Sequence, residues 1–209
     1  MIKIVKAEHT RDFQLRLTFS DGTHGEYDFA PRLAKDTVLT KPLGFGVTTT
    51  ALKRELADEK DVLEAVDWMK RLNKGASQLA VEFGLRGGTD VTGYSILGHG
   101  LEMAEASNVS LHFEFEKVPL ISCARKYAEK GCFAGGAFDN KSHFESRVKF
   151  ADSIDEENQM LLFDPQTSGG LLLGVPQEKL ESFLARAGSM KQPVWVIGRV
   201  TAGAGIHVE

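Results

Sequence analysis

The 209-residue sequence contains few cysteines, no long apolar run and no dense cluster of basic residues. Its two cysteines, Cys123 and Cys132, belong to no Cys-x-x-Cys motif, which favours free thiols over a disulfide framework or a zinc site. Apolar runs such as Met160–Phe163 and Leu171–Val175 are far shorter than the roughly 18 residues of a membrane-spanning helix. We therefore expect no membrane association. The N-terminus lacks the apolar stretch of a secretory signal, which predicts a cytoplasmic protein.

The overall composition is that of a globular protein. Apolar residues make up 42% and charged residues 26% of the chain, and the formal net charge is -4. A protein that binds nucleic acid usually carries a basic patch, and no group of five or more Lys and Arg occurs here. Nucleic acid is therefore not an expected partner.

Residues 1–35 show the alternation of a β-structure. Phe13, Leu15, Leu17 and Phe19 alternate with polar residues, and an Asp-Gly pair at 21–22 predicts a tight hairpin turn. We expect a three-stranded β-meander. So small a sheet buries little by itself, so the meander is a candidate for self-association into a homo-oligomer.

Residues 36–209 mix helical and strand patterns without a strict βαβ rhythm. The patterns predict helices over Thr92–Ala106 and Asp155–Leu162, a strand over His143–Phe150, and a glycine-rich loop at 134–140. The predicted fold class is α+β, a mixed sheet packed with helices and preceded by the meander.

The most informative run covers residues 87–100. Glycines surround Asp90 and Thr92 just before a predicted helix, where a carboxylate could hold Mg²⁺ and free N–H groups could face phosphate. Asp90 or Thr92 could equally be a simple helix cap. His99 and Glu102, one helical turn apart, are interpreted as a polar pair rather than metal ligands.

Two further runs hold polar residues beside glycines. Asp-Pro-Gln-Thr-Ser-Gly-Gly at 164–170 precedes an apolar strand, and either approaches a ligand or forms a well-made turn. Leu-Thr-Lys-Pro-Leu-Gly-Phe-Gly at 39–46 places Lys41 at a strand end, but its order excludes a Walker loop.

Together these runs resemble selenophosphate synthetase (selenide, water dikinase). The motifs at 39–46, 89–93, 134–140 and 164–173 occur in the same order in that family. The resemblance covers about residues 37–209 and only the family's C-terminal domain, of the type shared with aminoimidazole ribonucleotide synthetase. The family's N-terminal catalytic domain has no counterpart in these 209 residues.

The resemblance implies a role in making selenophosphate from ATP and selenide. It identifies Asp90 with the metal-binding aspartate of the C-terminal domain, lined by Thr89, Thr92 and Gly93. It implies Mg²⁺ and ATP as cofactors and a separate N-terminal half as a possible partner. No catalytic residue is assigned, and we expect the chain to be inactive alone.

Two runs depart from the motifs of this family. Tyr94 and Ser95 stand where the family usually has Phe-Gly after Asp-Val-Thr-Gly, and Ala137-Phe138-Asp139 breaks its usual Gly-Gly-Thr pattern. Residues 1–33 instead resemble the opening of a small β-rich family of unknown function, through Arg-Leu-x-Phe-x-Asp-Gly at 16–22. The alternative function is therefore a non-catalytic binding or assembly module that self-associates through the meander.

Overall fold

A computed structural model describes residues 2–11, 14–28 and 35–209. Its internal contacts divide the chain into two compact units, Met1–Ala34 and Lys35–Glu209. No helix among the described residues is long and apolar enough to cross a membrane.

The first unit contains the predicted three-stranded meander. Its antiparallel strands are β1 (Ile4–Arg11), β2 (Gln14–Phe19) and β3 (His24–Asp28), in the order β1-β2-β3. The predicted Asp-Gly turn connects β2 to β3, and Gly22 takes a φ of 83°, a value that glycine adopts without steric cost. The Asp21 carboxylate accepts hydrogen bonds from both the backbone N–H and the hydroxyl of Thr23. Phe13, part of the predicted alternation, lies outside the described residues.

The second unit is built on a seven-stranded mixed sheet in the order β5-β8-β4-β9-β6-β10-β7. β10 pairs in parallel with β6 and β7, and the other pairs are antiparallel. The strands are β4 (Asp36–Leu39), β5 (Gly87–Asp90), β6 (Val109–Phe113), β7 (Val148–Phe150), β8 (Leu171–Val175), β9 (Trp195–Ala202) and β10 (Ile206–Val208). With its helices, this sheet confirms the α+β prediction.

Eight helices occur among the described residues of this unit, apart from short 3₁₀ turns. They are α1 (Phe45–Lys53), α2 (Glu59–Lys70), α3 (Lys74–Glu82), α4 (Ser95–Ser107), α5 (Ala124–Ala128), α6 (Gly135–Phe144), α7 (Glu156–Phe163) and α8 (Gln177–Ser189).

Helix α6 corrects two predictions. The run at 134–140, predicted as a loop, starts this helix, and the predicted strand His143–Phe150 is wrong except for its last three residues, which form β7. Ala137, Asn140 and Phe144 are all buried, and their spacing of three and four residues is that of one helix face. Packing of this face outweighs the poor helix propensity of the two glycines that begin α6.

The core lies on both sides of the sheet. Val38 of β4 and Leu173 of β8 pack against Phe183 of α8 and Leu79 of α3. Helix α4 packs on β5, β6 and β10. A further cluster joins α1, α2, α5 and α7, with Tyr127 among its fully buried side chains. Burying a large apolar side chain contributes about 1.5–3 kcal/mol, so these clusters supply most of the driving force for folding.

A polar network built on the buried carboxylate of Asp61 joins α2 to α5. Asp61 is buried and accepts hydrogen bonds from Tyr127 Oη at 2.7 Å and Lys126 Nζ at 2.8 Å, which lower the pKa of the Asp61 carboxyl. Asp58 is the N-cap residue of α2, but its carboxylate binds Lys126 instead of a helix N–H group. Because Lys126 and Tyr127 donate hydrogen bonds to it, the buried Asp61 carboxylate stabilises the packing of α2 against α5.

Gly198 provides a sharp test of the sheet. A Cβ added to this residue of β9 would collide with the backbone carbonyl of His112 on β6, so one strand would have to move. We expect Gly198→Ala to lower the free energy of unfolding by about 1–3 kcal/mol, measured by urea denaturation. Gly188→Ala in α8 is the matched control, because nothing lies within 4 Å of its added Cβ. This control should raise stability by about 0.5–1 kcal/mol, and equal effects of the two substitutions would contradict the sheet register.

Candidate functional site

The loop at 164–170 holds the beginning of helix α1 through two side chains. Gln166 Oε1 accepts the N–H groups of Gly44 and Phe45, both at 3.0 Å. Asp164 Oδ2 accepts those of Gly46 at 2.9 Å and Val47 at 3.2 Å. The first N–H groups of a helix have no partner within the helix, so these side chains satisfy four donors that would otherwise be buried and unpaired. We call Asp164 and Gln166 the α1 clamp.

The clamp carboxyl is almost fully buried. Burial raises the pKa of Asp164 to about 7, although the hydrogen bonds from Gln166, Val47 and Gly46 lower it. Gln166 Nε2 also donates to Asp164 Oδ2, at 2.9 Å, so the two clamp side chains hold each other. Asp164 therefore has a structural role here.

Backbone carbonyls of the same loop bind three other segments. Lys41 Nζ donates to the Ser168 carbonyl at 2.7 Å, and Asn73 Nδ2 donates to the Gly169 carbonyl at 2.9 Å. The Val91 N–H donates to the Gly170 carbonyl at 2.9 Å. Of the two interpretations left open for this loop, these contacts favour the well-made turn, because its polar groups are used within the protein.

Asp90 ends edge strand β5, where it pairs with Leu171 of β8. The prediction that it lies at a helix N-terminus is wrong, since α4 begins at Ser95 and Tyr94 is its N-cap residue. The carboxylate of Asp90 is exposed. Thr89 and Asp90 line a groove of about 360 Å³ that runs along β5. An exposed carboxylate beside a groove is open to a ligand.

The turn between β5 and α4 is held from both sides. The Gln166 N–H donates to the Thr92 carbonyl at 3.0 Å, and buried Asn140 donates its amide to the Gly93 carbonyl at 2.9 Å. The Thr92 hydroxyl lies 3.5 Å from Asp90 Oδ2. Thr89, Asp90, Thr92 and Gly93 thus form one ordered stretch, and their ligand roles remain predictions.

His99 supports this turn from helix α4. Its Nε2 accepts the Tyr94 N–H at 3.3 Å and lies 3.0 Å from the Thr92 hydroxyl. A backbone N–H can only donate, so the proton of a neutral His99 is on Nδ1, which lies 3.2 Å from Glu102. The predicted His99–Glu102 polar pair is present. The sequence did not indicate the contacts of Nε2, because they depend on how the turn folds back over α4.

Ser95 occupies an unusual backbone position. Its φ of 66° lies in the left-handed region, which non-glycine residues adopt at some cost. Its hydroxyl is buried and accepts the Leu97 N–H at 3.2 Å. The residue that replaces the glycine of the resembled motif therefore keeps a glycine-like backbone and adds a local hydrogen bond.

A divalent cation would find only part of its ligand set here. Residues 2–11, 14–28 and 35–209 contain no group of three or more His, Cys, Asp or Glu side chains arranged for a metal ion. Asp90 and Thr92 offer oxygens, which are the ligands Mg²⁺ prefers. Mg²⁺ is commonly held by one or two carboxylates with waters and substrate phosphates, so Asp90 fits as one contributor.

Comparison with known families agrees with this fold. Residues 37–209 match the family described as AIR synthase related protein, C-terminal domain. The chain belongs to this family. Selenide, water dikinase from Caldanaerobacter subterraneus subsp. tengcongensis is 43% identical to it over 164 residues, which are 78% of this chain and 47% of that protein. The selenide, water dikinase of Bordetella bronchiseptica is 40% identical over 171 residues, 82% of this chain and 49% of that protein.

The chain spans about half the length of these curated relatives. The family match and these relatives show that residues 37–209 form a selenophosphate synthetase-related domain of the AIR synthase type, as the sequence motifs predicted.

Solved structures of several other proteins share the fold. Thiamine-monophosphate kinase from Stenotrophomonas maltophilia K279a has a TM-score of 0.60 at 15% identity, covering 89% of this chain and 55% of that one. Hydrogenase maturation protein HypE has a TM-score of 0.58 at 17% identity, covering 81% and 44%. A related structure, AaThiL, was solved with AMPPCP and TMP (TM-score 0.55, 16% identity, covering 88% and 52%). At these identities the likeness shows the fold alone.

The α1 clamp predicts a large effect of Asp164→Ala. The substitution leaves the Gly46 and Val47 N–H groups buried without an acceptor, at a cost of about 1–3 kcal/mol each in the free energy of unfolding. Asp155→Ala is the matched control, because Asp155 also caps a helix, accepting the Asn158 N–H at 2.8 Å, but is exposed. Its loss should be about 1 kcal/mol, since water replaces the acceptor. Urea denaturation measures both, and equal losses would exclude a special role for the buried clamp.

Proposed function

We propose that residues 36–209 contribute part of an ATP- and Mg²⁺-dependent phosphotransfer site that makes selenophosphate from selenide. The observation that carries this proposal is the exposed Asp90 carboxylate at the end of β5, on a turn fixed by buried contacts. The selenide, water dikinase relatives supply the reaction class.

Asp90 has the properties of one ligand of a metal ion whose remaining ligands are other groups. It forms none of the ion pairs found among the described residues, so its charge is not already neutralised by a cation. Bound Mg²⁺ would offset the negative charge of nucleotide phosphates. Asp90 would hold one face of the ion, with the hydroxyls of Thr89 and Thr92 nearby.

Gly93 supports the approach of a ligand. It is exposed, and an added Cβ would meet no atom within 4 Å, so packing within the protein does not require glycine there. A bound ligand that comes close to the backbone would require it. Thr89, Thr92 and Gly93 are therefore proposed to line the nucleotide and metal.

One carboxylate does not make a phosphotransfer site. Such reactions need several cations or donors placed around the developing charge. We propose that the remaining groups, including all catalytic residues, come from an N-terminal half equivalent to the part of the relatives that this chain does not match. The chain alone is then inactive, and selenophosphate formed by it from ATP and selenide would overturn that statement.

Asp90→Asn tests the proposal in a complete enzyme. Residues 37–209 replace the matched half of the Caldanaerobacter selenide, water dikinase, and selenophosphate is followed by phosphorus NMR. We expect the hybrid to be active and Asp90→Asn to lower its rate by about a hundredfold, because a charge-stabilising group is lost.

Asp152→Asn is the control, since it removes an exposed carboxylate elsewhere in the same unit. Calorimetric titration of the hybrid with Mg²⁺-ATP gives a second readout. A folded hybrid that binds no nucleotide, or an Asp90→Asn hybrid as active as the control, would contradict the role of Asp90.

A second candidate function is assembly through the meander. Strands β1 and β3 are the two edges of its sheet, and Ile4 and Val5 on β1 are 56% and 62% exposed. Edge strands with exposed apolar side chains are prone to pair with another copy. The proposed product is a homo-oligomer joined through this sheet.

Sedimentation velocity tests the assembly. We expect the full chain to sediment as a dimer or larger species and Ile4→Lys to sediment as a monomer, because a charge on the edge opposes pairing. Leu63→Lys is the control, since Leu63 is an exposed apolar residue of α2. A wild-type chain that stays monomeric at high micromolar concentration would exclude this function.

A further inference from the structure

A second pocket carries an excess of positive charge. It has a volume of about 270 Å³ and lies where the end of β4, the α2–α3 connection and the turn after α8 meet. Lys41, Arg71 and Lys191 line it, and none of its lining residues is a carboxylate. It shares no lining residue with the groove beside Asp90.

The charge of Lys41 lacks a counter-ion in this pocket. The residue is only 3% exposed, and its Nζ donates a hydrogen bond to the neutral carbonyl of Ser168. Within the part of the chain that the structure describes, Lys41, Arg71 and Lys191 form no ion pair. Burial lowers the pKa of Lys41, and the positive charge of Arg71 lowers it further. A buried ammonium without an anion is costly, so an anionic ligand would stabilise this arrangement.

Neutral groups complete the pocket. Trp68 lines it, and the Arg71 guanidinium lies 4.1 Å from the centre of its ring. That stacking orients the planar guanidinium, whose donors match two oxygens of a phosphate or carboxylate. The side chains of Asn73 and Gln192 add amide groups to the lining.

We propose that this pocket binds the phosphate group of a small molecule. Three cations suit the two negative charges of a phosphate monoester better than the single charge of a carboxylate. The Trp68 ring offers an aromatic surface to whatever is attached to the phosphate. The source, inorganic phosphate or a nucleoside monophosphate, is distinguished by the titration.

Tryptophan fluorescence reports directly on the pocket. The chain has two tryptophans, Trp68 in the lining and Trp195, whose ring centre lies 6.0 Å from that of Trp68. The full chain is titrated at constant ionic strength with sodium phosphate and, separately, with AMP, and the affinities are confirmed by calorimetry. Mg²⁺ is left out, so the metal proposed at Asp90 plays no part and the two proposals fail independently.

We expect saturable binding of at least one of these probes, weakened about tenfold in Arg71→Gln through the loss of a charge-assisted hydrogen bond. Lys41→Met should weaken it similarly. If that buried substitution prevents folding, Lys191→Gln replaces it, because Lys191 is exposed. Lys70→Gln is the matched control, because it removes one positive charge at the position next to Arg71, and Lys70, the last residue of α2, does not line the pocket.

Tighter binding of AMP than of phosphate supports a nucleotide that uses Trp68, and equal affinities support recognition of the phosphate group alone. No saturable signal with either probe up to 10 mM (roughly the weakest affinity that specific recognition would give) would overturn the proposal. The same affinity in Arg71→Gln as in Lys70→Gln would also overturn it.

Discussion

The rest of the larger unit depends on the α1 clamp, in which buried Asp164 and Gln166 accept the first N–H groups of helix α1. Without it, four backbone donors would be buried unpaired, at about 1–3 kcal/mol each. A folded domain is stable by only about 5–15 kcal/mol, so this one loop decides a large share of the margin. This structural duty explains Asp164 and Gln166 of the 164–170 motif. Gly169 and Gly170 of the same motif lie so close to the backbone of Val91 and Lys41 that an added Cβ would collide with it.

The same loop connects the clamp to the candidate site. Its backbone binds Val91 and Thr92 on one side and Lys41 on the other, so the turn after Asp90 and the cationic pocket are both attached to it. Neither site is built on freely moving chain. A rigid support of this kind lets an exposed carboxylate and a buried ammonium keep defined positions before a ligand arrives.

Several elements could be predicted from local patterns. The meander followed from period-two alternation and the Asp-Gly turn, α7 from the helical pattern over Asp155–Leu162, and β8 from the apolar run Leu171–Val175. The secondary-structure prediction failed at two places. At α6, Gly135 and Gly136 indicated a loop, and at Asp90 the neighbouring glycines indicated the start of a helix. Glycine tolerates many conformations, so its local signal is weak, and in both places burial and strand pairing decided the outcome.

The sequence by itself determined the α+β class, the three-stranded meander and, through four ordered motifs, membership of the AIR synthase related family, because these depend on local periodicity and residue order. Only the tertiary structure decided that Asp164 and Gln166 cap a helix more than a hundred residues earlier in the chain, that His99 supports the turn after Asp90, and that three cations share one pocket. The clamp and the pocket join residues far apart in sequence, so they arise from how the sheet orders its strands, and the contacts of His99 arise from how the turn folds back over α4. No local pattern carries that information.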